Sequence, residues 1–262
     1  MCLIAFALET HPRFRLVLAA NRDEFYARPS AAAAFWSDEP QVLAGRDLAA
    51  GGTWLGVTAA GRLGAVTNYR EPLQGQGPWL SRGCLVADYL AGSMTAAAYL
   101  DRVRRRSGEY QGFNLLVGDG DGFWYYSNRG SDPCRIPPGV HGLSNHLLDT
   151  PWPKVVSARE RLERLLRSDT PDPEALFALL GDRTVFPDHL LPDTGVGLER
   201  ERLLSSPFIA GSDYGTRSSS IILLDRAGVI TFMERSFDPA HGVAGTVTHT
   251  LPSQRPPVAD RT

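Results

Sequence analysis

Short apolar runs separated by polar turns open the chain. Cys2–Leu8 is apolar throughout, a turn follows at His11-Pro12, and Arg15–Ala20 is apolar again. Runs of this length bounded by turn residues predict strands. Three further pairs of runs have hairpin spacing. Trp54–Thr58 and Leu63–Thr67 flank Ala59–Arg62, Phe113–Gly118 and Gly122–Ser127 flank Asp119-Gly120-Asp121, and Ser220–Leu224 and Val229–Glu234 flank Asp225–Gly228. Each connection carries the glycine a tight turn needs. Helical periodicity lies between these blocks. Cys84–Ser107 carries Leu85, Tyr89, Met94 and Leu100, with a break and candidate cap at Ser93. Lys154–Arg167 puts Val155, Ala158, Leu162, Leu165 and Leu166 on one face, and Pro151 and Pro153 prevent an earlier start. Pro173–Leu180 predicts a shorter helix. Gln74–Pro78 and Pro187–Leu198 read as irregular loops. Hairpins combined with helices of this kind imply antiparallel sheets covered by helices. A single domain is expected over residues 1–250, followed by a polar, proline-rich flexible tail over 251–262.

Composition narrows the function classes. With 262 residues, 43% of them hydrophobic, the chain can bury a sizeable core. A net charge of −2 gives no broad basic field, so nucleic acid is not an expected partner. No stretch approaches the roughly 20 apolar residues of a membrane span. Met1–Leu8 lacks the basic residues that begin a secretory signal, and Glu9 interrupts it. The cysteines, Cys2, Cys84 and Cys134, are odd in number and widely spaced, and neither they nor the scattered histidines form a metal-binding motif. A cytoplasmic protein without a structural metal is expected.

Cys2 directly follows the initiator methionine, which aminopeptidase removes before small residues. The exposed α-amine, with an unperturbed pKa of about 7.7–8.0, can take the thiol proton near neutral pH. Nucleophile and base would then be one residue. At such a position a buried, inert cysteine is the more frequent outcome. Asn21-Arg22-Asp23-Glu24 follows the second apolar run. It reads either as a strand-end turn or as an Arg–carboxylate pair able to orient an amine and thiol. Asn68 and Asn145 each follow a short apolar run, as turn residues or as amide donors to an oxyanion. Arg217 precedes the apolar run at 220–224, as a surface arginine or as an anion-binding group.

Together these residues resemble a known pattern. Met-Cys-Leu-Ile-Ala at the start, Asn21-Arg22-Asp23-Glu24-Phe25, Gly51-Gly52-Thr53-Trp54-Leu55-Gly56, Thr67-Asn68-Tyr69-Arg70, Gly112-Phe113-Asn114, Leu143-Ser144-Asn145, Pro151-Trp152-Pro153-Lys154-Val155 and Thr216-Arg217-Ser218 occur in the order and spacing of the NRDE family, also called the transport and Golgi organization protein 2 family. The resemblance spans roughly residues 1–240 and implies an α+β fold. That fold is a four-layer αββα sandwich of two antiparallel sheets flanked by helices, as in N-terminal-nucleophile hydrolases. A more distant resemblance to penicillin V acylases and bile salt hydrolases, which also begin Met-Cys, implies the chemistry. Cys2 is similar to their nucleophile, Arg22 and Asp23 to their orienting pair, Asn68 and Asn145 to their two asparagines, with Asn145, helped by Asn68, the expected oxyanion donor, and Arg217 to their late arginine. Arg and Asp are adjacent here and spaced apart in the acylases.

Two functions follow from the resemblance. One is cysteine-dependent hydrolysis of a non-peptide C–N bond in a small-molecule linear amide, which needs no cofactor. The other is non-enzymatic binding and trafficking of an amphipathic ligand such as haem or acyl-CoA in the cleft between the sheets, where Trp36, Trp54, Trp79 and Trp152 would supply apolar walls.

Overall fold

The computed structural model describes residues 2–72, 77–240 and 242–252. Its strands form two antiparallel sheets. The first sheet has six strands in the order β10-β1-β2-β11-β12-β13. These are β10 (Gly139–Leu143), β1 (Cys2–Leu8), β2 (Phe14–Phe25), β11 (Tyr214–Asp225), β12 (Ile230–Asp238) and β13 (Gly242–Leu251). The second sheet has seven strands that follow the chain: β3 (Ser30–Phe35), β4 (Val42–Asp47), β5 (Leu55–Thr58), β6 (Leu63–Asn68), β7 (Phe113–Asp119), β8 (Gly122–Ser127) and β9 (Cys134–Arg135).

Alternation along β1 shows how the layers stack. Cys2, Ile4, Phe6 and Leu8 join the core between the sheets, and Leu3, Ala5 and Ala7 join a second core with Trp152, Val155, Leu162 and Leu176. Both faces of the strand are therefore buried, which is why its sequence is apolar without interruption. Helices α3 (Pro153–Leu165) and α4 (Pro173–Leu180) cover the first sheet, and α1 (Arg82–Ala91) and α2 (Ala96–Arg105) cover the second. The result is an αββα sandwich. Both cover helices of the first sheet start at a proline in the first turn, and Asp172 caps α4 by accepting the Glu174 N–H.

The three expected hairpins are β5–β6, β7–β8 and β11–β12. The helical stretch expected over Cys84–Ser107 divides into α1 and α2. The cap is Thr95, whose hydroxyl accepts the Ala98 N–H, and not Ser93. Strands β3, β4 and β13 have no counterpart in the sequence reading. Ser-Ala-Ala-Ala-Ala-Phe in β3 has little β-branched character, and β13 is largely exposed. Pro187–Leu198 contains a 3-10 turn at Asp188–Leu190 and leads into a short helix, α5 (Leu198–Leu203). Leu251 is buried at the end of β13, paired with Ile230. The expected tail beyond it and the expected loop at 74–78 fall largely outside the described residues. Among the described residues, no helix is long and apolar enough to cross a membrane.

Candidate active site

The Asn21–Glu24 motif lies inside a strand and is not a strand-end turn. Strand β2 runs through Phe25 because it is paired on both sides, Cys2 opposite Arg22 on β1 and Thr216 opposite Asp23 on β11. Polar residues can continue a strand here because alternation divides them between two polar environments. Arg22 follows Ala20 and Leu18 onto the inter-sheet face. Asn21 continues the Val17 and Ala19 face toward the helices, where its amide donates to the carbonyls of Leu180 and Pro207 at 2.8 and 2.9 Å. The Asp23 carboxylate accepts from the Thr216 hydroxyl at 2.7 Å, and its carbonyl accepts from the Tyr214 hydroxyl at 2.8 Å.

A cavity of about 540 Å³ opens between the sheets at this end of β1. Cys2, Arg22, Asp23, Asn68 and Arg217 line it, together with Trp54 and Trp79. Asn145 stands just behind. It is fully buried, its amide donates to the Asn68 carbonyl at 3.1 Å, and its side-chain oxygen accepts from the Ser144 hydroxyl at 3.1 Å. Ser144 lies 3.0 Å from the Cys2 carbonyl, to which it also has hydrogen-bonding geometry. Arg217 belongs to β11 and not to a preceding loop. A register shift between Thr216 and Ser218 leaves it outside the ladder, and its guanidinium donates to the carbonyls of Phe25, Tyr26 and Arg28 at 3.0–3.1 Å. It thereby fixes the turn that carries the chain out of β2. Trp36 and Trp152 lie elsewhere. Trp36 donates to the Ala44 carbonyl under Arg46, and Trp152 stacks beneath Arg70 among the helices of the first sheet.

The electrostatics of the site follow from burial. Burial pushes the Cys2 thiol up and the Asp23 carboxylate adds to the rise, while the Asp23 backbone N–H and the nearby Arg22 act in the opposite direction. Burial also pushes the Asp23 carboxyl up, against Lys154, the Thr216 hydroxyl and Arg70. Behind the sheet, Arg70 forms a buried ion pair with Glu201. Lys154 donates to the Leu204 carbonyl at 2.8 Å, and burial pushes its pKa down to about 7. On the cavity side, buried Glu234 ties the sheets together. Its carboxylate accepts the Ala33 N–H at 2.7 Å and faces the Ser220 hydroxyl at 3.3 Å, and burial raises its pKa. Ala33 is available because the β3–β4 register shifts between Ala31 and Ala34.

The Gly51-Gly52-Thr53-Trp54 motif is explained by packing. A Cβ on Gly52 would lie 2.5 Å from the Gly83 carbonyl carbon, so the loop before β5 meets the start of α1 backbone to backbone. Thr53 N–H donates to the Gly83 carbonyl at 3.2 Å, which places Trp54 and Arg82 on the same cavity wall.

The Transport and Golgi organisation 2 family model matches residues 1–239. The chain belongs to this family. The Transport and Golgi organization protein 2 homolog of Bos taurus is 41% identical over 90% of this chain and 93% of its own length. The Homo sapiens homolog is 39% identical over 97% and 100%. Transport and Golgi organization protein 2 of Drosophila melanogaster is 28% identical over 92% and 95%. Among solved structures, a Caenorhabditis elegans N-acylethanolamine-hydrolyzing acid amidase ortholog is similar with a TM-score of 0.49 at 12% identity, over 85% of this chain and 92% of that one. A conjugated bile acid hydrolase from Clostridium perfringens is similar with a TM-score of 0.46 at 9% identity, over 97% and 93%.

In this family member, Lys154, Arg70, Glu201, Thr216 and Glu234 surround the site, although sequence reasoning assigned none of them a role there. Lys154 had one signal, being the chain's single lysine. Glu234 had another, as an acid directly after the apolar run Ile230–Met233. Neither signal reveals burial, which the packing of α3 and of β3 creates.

Proposed function

We propose that this protein is a cysteine N-terminal-nucleophile amidohydrolase acting on a linear, non-peptide amide. The observation that carries the proposal is the setting of Cys2. It stands opposite Arg22 on the inter-sheet face, at the edge of a cavity large enough for a small molecule. Burial disfavours a standing thiolate, so the nucleophile needs a base, and the α-amine of a processed Cys2 supplies one. In the proposed reaction the Cys2 sulfur attacks the amide carbon and the amine takes the thiol proton. The resulting ammonium gives that proton to the leaving nitrogen as the C–N bond breaks, leaving a thioester. Water then attacks the thioester, a proton returns through the amine to the sulfur, and a carboxylic acid departs. Asn68, on the cavity wall, is the proposed oxyanion donor, and Asn145 holds the Asn68 backbone. Arg22 orients the sulfur, Asp23 directs the amine, and Arg217 shapes the wall through residues 25–28. The scheme uses no cofactor. The cytoplasm, where thiols are kept reduced, is the proposed setting.

A second reading is non-enzymatic binding of haem or acyl-CoA, favoured by Trp54 and Trp79 on a wall shared with several arginines. Among the described lining residues there is no histidine, so on this reading haem would be held through its propionates. The state of the N-terminus separates the two readings. Protein beginning at Cys2 should be labelled by an acylating probe at Cys2 faster than at Cys84 or Cys134 near neutral pH, and an uncleavable N-terminal extension should abolish that preference. Full function with the extension in place would refute the hydrolase and favour the carrier.

A further inference from the structure

The segment that follows β10 carries Ser144 and Asn145, and it is closed into a loop by bonds that the hydrolytic scheme does not use. The Asp149 N–H donates to the Gly142 carbonyl at 2.8 Å, and the Gly142 N–H donates to Asp149 Oδ1 at 2.8 Å. Asp149 is held there at a φ of +59°, in the left-handed region. Its other carboxylate oxygen, Oδ2, lies 2.7 Å from His141 Nδ1. His141 Nε2 lies 3.0 Å from the Pro137 carbonyl oxygen. His141 is buried on β10, where β1 presents the uncharged Phe6 ring at 5.2 Å. Among the described residues, the charged groups that face it are Asp149 from the loop and Arg159 from α3, which stands 3.6 Å from Asp149 Oδ1. Within the loop, the Ser144 hydroxyl lies 3.0 Å from the Cys2 carbonyl, and the Asn145 amide donates to the Asn68 carbonyl at 3.1 Å.

Both ring nitrogens of His141 therefore face oxygens that accept, a carboxylate on one side and a carbonyl on the other. A neutral imidazole has one N–H and one lone pair, so one of the two contacts would set a lone pair against an oxygen. The imidazolium donates to both. We infer that the His141 imidazolium clasps Asp149 and so closes the loop that holds Ser144 and Asn145, which makes His141 a positioning residue of the Cys2 site that acts in its protonated form. The consequence for catalysis rests on the hydrolytic reading above, whereas the clasp itself does not. The bond to Asp149 raises the His141 pKa above the ordinary 6.5, against burial. Burial pushes the Asp149 carboxyl up, but the bonds from His141 and the Gly142 N–H outweigh it and leave the group below its ordinary range. A histidine raised in this sense stabilises the loop fully below pH 6.5 and loses that contribution as pH rises through its folded-state value. The Cys2 amine must lose a proton to act as base, and His141 must keep one, so the two ionisations bound the active pH range from opposite sides.

Nuclear magnetic resonance of nitrogen-15-labelled protein, with the His141 ring assigned through the backbone, tests the clasp. The His141 midpoint should lie above 6.5 and fall by about one pH unit or more in Asp149→Asn, roughly a tenfold change in the imidazolium equilibrium. The Asn145 side-chain amide resonance should move with the same midpoint in wild type. A midpoint at or below 6.5, or an Asn145 resonance indifferent to it, overturns the clasp. The second measurement is acylation of Cys2 against pH in protein starting at Cys2. The ratio of wild-type to His141→Gln rates cancels the ionisation of the Cys2 amine, which both proteins share. It should be about tenfold or more below the His141 midpoint and fall toward one above it. A ratio that stays constant with pH marks a merely structural histidine and overturns the positioning role. If His141→Gln does not fold, the wild-type profile decides, because its alkaline decline must share the His141 midpoint. If wild-type Cys2 shows no selective acylation, the hydrolytic reading fails, and the histidine titration still decides the clasp.

Discussion

The Thr216 hydroxyl donates to the Asp23 carboxylate at 2.7 Å and accepts the Ile209 N–H at 2.9 Å. Accepting from a fixed backbone donor commits the hydroxyl proton to Asp23. The contact thus sets the orientation of the carboxylate and joins it to the strap before β11. Thr216→Val keeps the shape and removes both bonds. It should cost about 1.5–3 kcal/mol of stability, because one of the lost bonds is donated to a buried carboxylate. Thr216→Ser should retain most of that stability in thermal or urea unfolding, and full stability in Thr216→Val together with a loss in Thr216→Ser would show that the methyl, and not the hydroxyl, matters.

Gly52→Ala tests the contact between the loop before β5 and α1. The added methyl would meet Gly83 carbonyl atoms at 2.5–2.6 Å, and backbone cannot rotate away as a side chain can. A loss of about 1–3 kcal/mol is expected. Gly51→Ala is a control for crowding, since nothing lies within 4 Å of its Cβ, although its φ of +77° brings its own strain. An unfolding midpoint for Gly52→Ala equal to wild type would remove the packing account of the motif.

Much of the sheet architecture was legible in the sequence, because hairpin turns and uninterrupted apolar strands leave local signals. The three hairpins and α4 are examples. Strands β3 and β13 left none. Their pairing comes from tertiary contacts such as Glu234 to Ala33 and His249 to the Ala33 carbonyl. At the site, Cys2 and Arg22 are neighbours through strand pairing of residues 20 apart in sequence, which alternation suggests once register is known. The burial of Lys154 was not legible, because a lysine near a helix start looks solvent-exposed until α5 and residue 204 close over it.

Glu234 should impose a measurable pH dependence on stability. Burial raises its folded-state pKa above the ordinary carboxylate value of 4.5. Between the two values the native state holds more protons than the unfolded chain, so this group makes stability fall as pH rises through that window. Glu234→Gln retains an acceptor for the Ala33 N–H and removes the titration. The slope of unfolding free energy against pH above 4.5 should therefore become less negative in the variant. Glu234→Ala should instead lose about 1–3 kcal/mol at every pH by stranding the Ala33 N–H. Identical slopes in wild type and Glu234→Gln would place the titrating group elsewhere.

The Arg70–Glu201 pair predicts strong non-additivity. Both side chains are almost completely buried, so removing one leaves an uncompensated ion, at a cost of about 3–5 kcal/mol. Arg70→Met and Glu201→Leu should each be severely destabilised, and the double variant should be more stable than their summed losses imply. Additive losses in a double-mutant cycle would show that each residue acts through other contacts.

The two asparagines separate under the same tests because they occupy different layers. Asn68 lines the cavity, whereas Asn145 is fully buried behind it and gives its amide to the Asn68 carbonyl. If Asn68 stabilises an oxyanion, Asn68→Ala should reduce Cys2 acylation by about 10²–10³-fold, the usual effect of losing one such donor. Its half-buried position predicts little loss of stability. Asn145→Ala removes a buried bond to Asn68 and the partner of Ser144, so it should lower the unfolding midpoint and the acylation rate together. The decisive comparison is rate against stability for both variants. If Asn145→Ala loses rate at full stability while Asn68→Ala keeps its rate, the donor is Asn145. Its amide would then have to turn from the Asn68 carbonyl toward the cavity during the reaction. The reverse pattern assigns the donor to Asn68 and leaves Asn145 as the group that holds it in place.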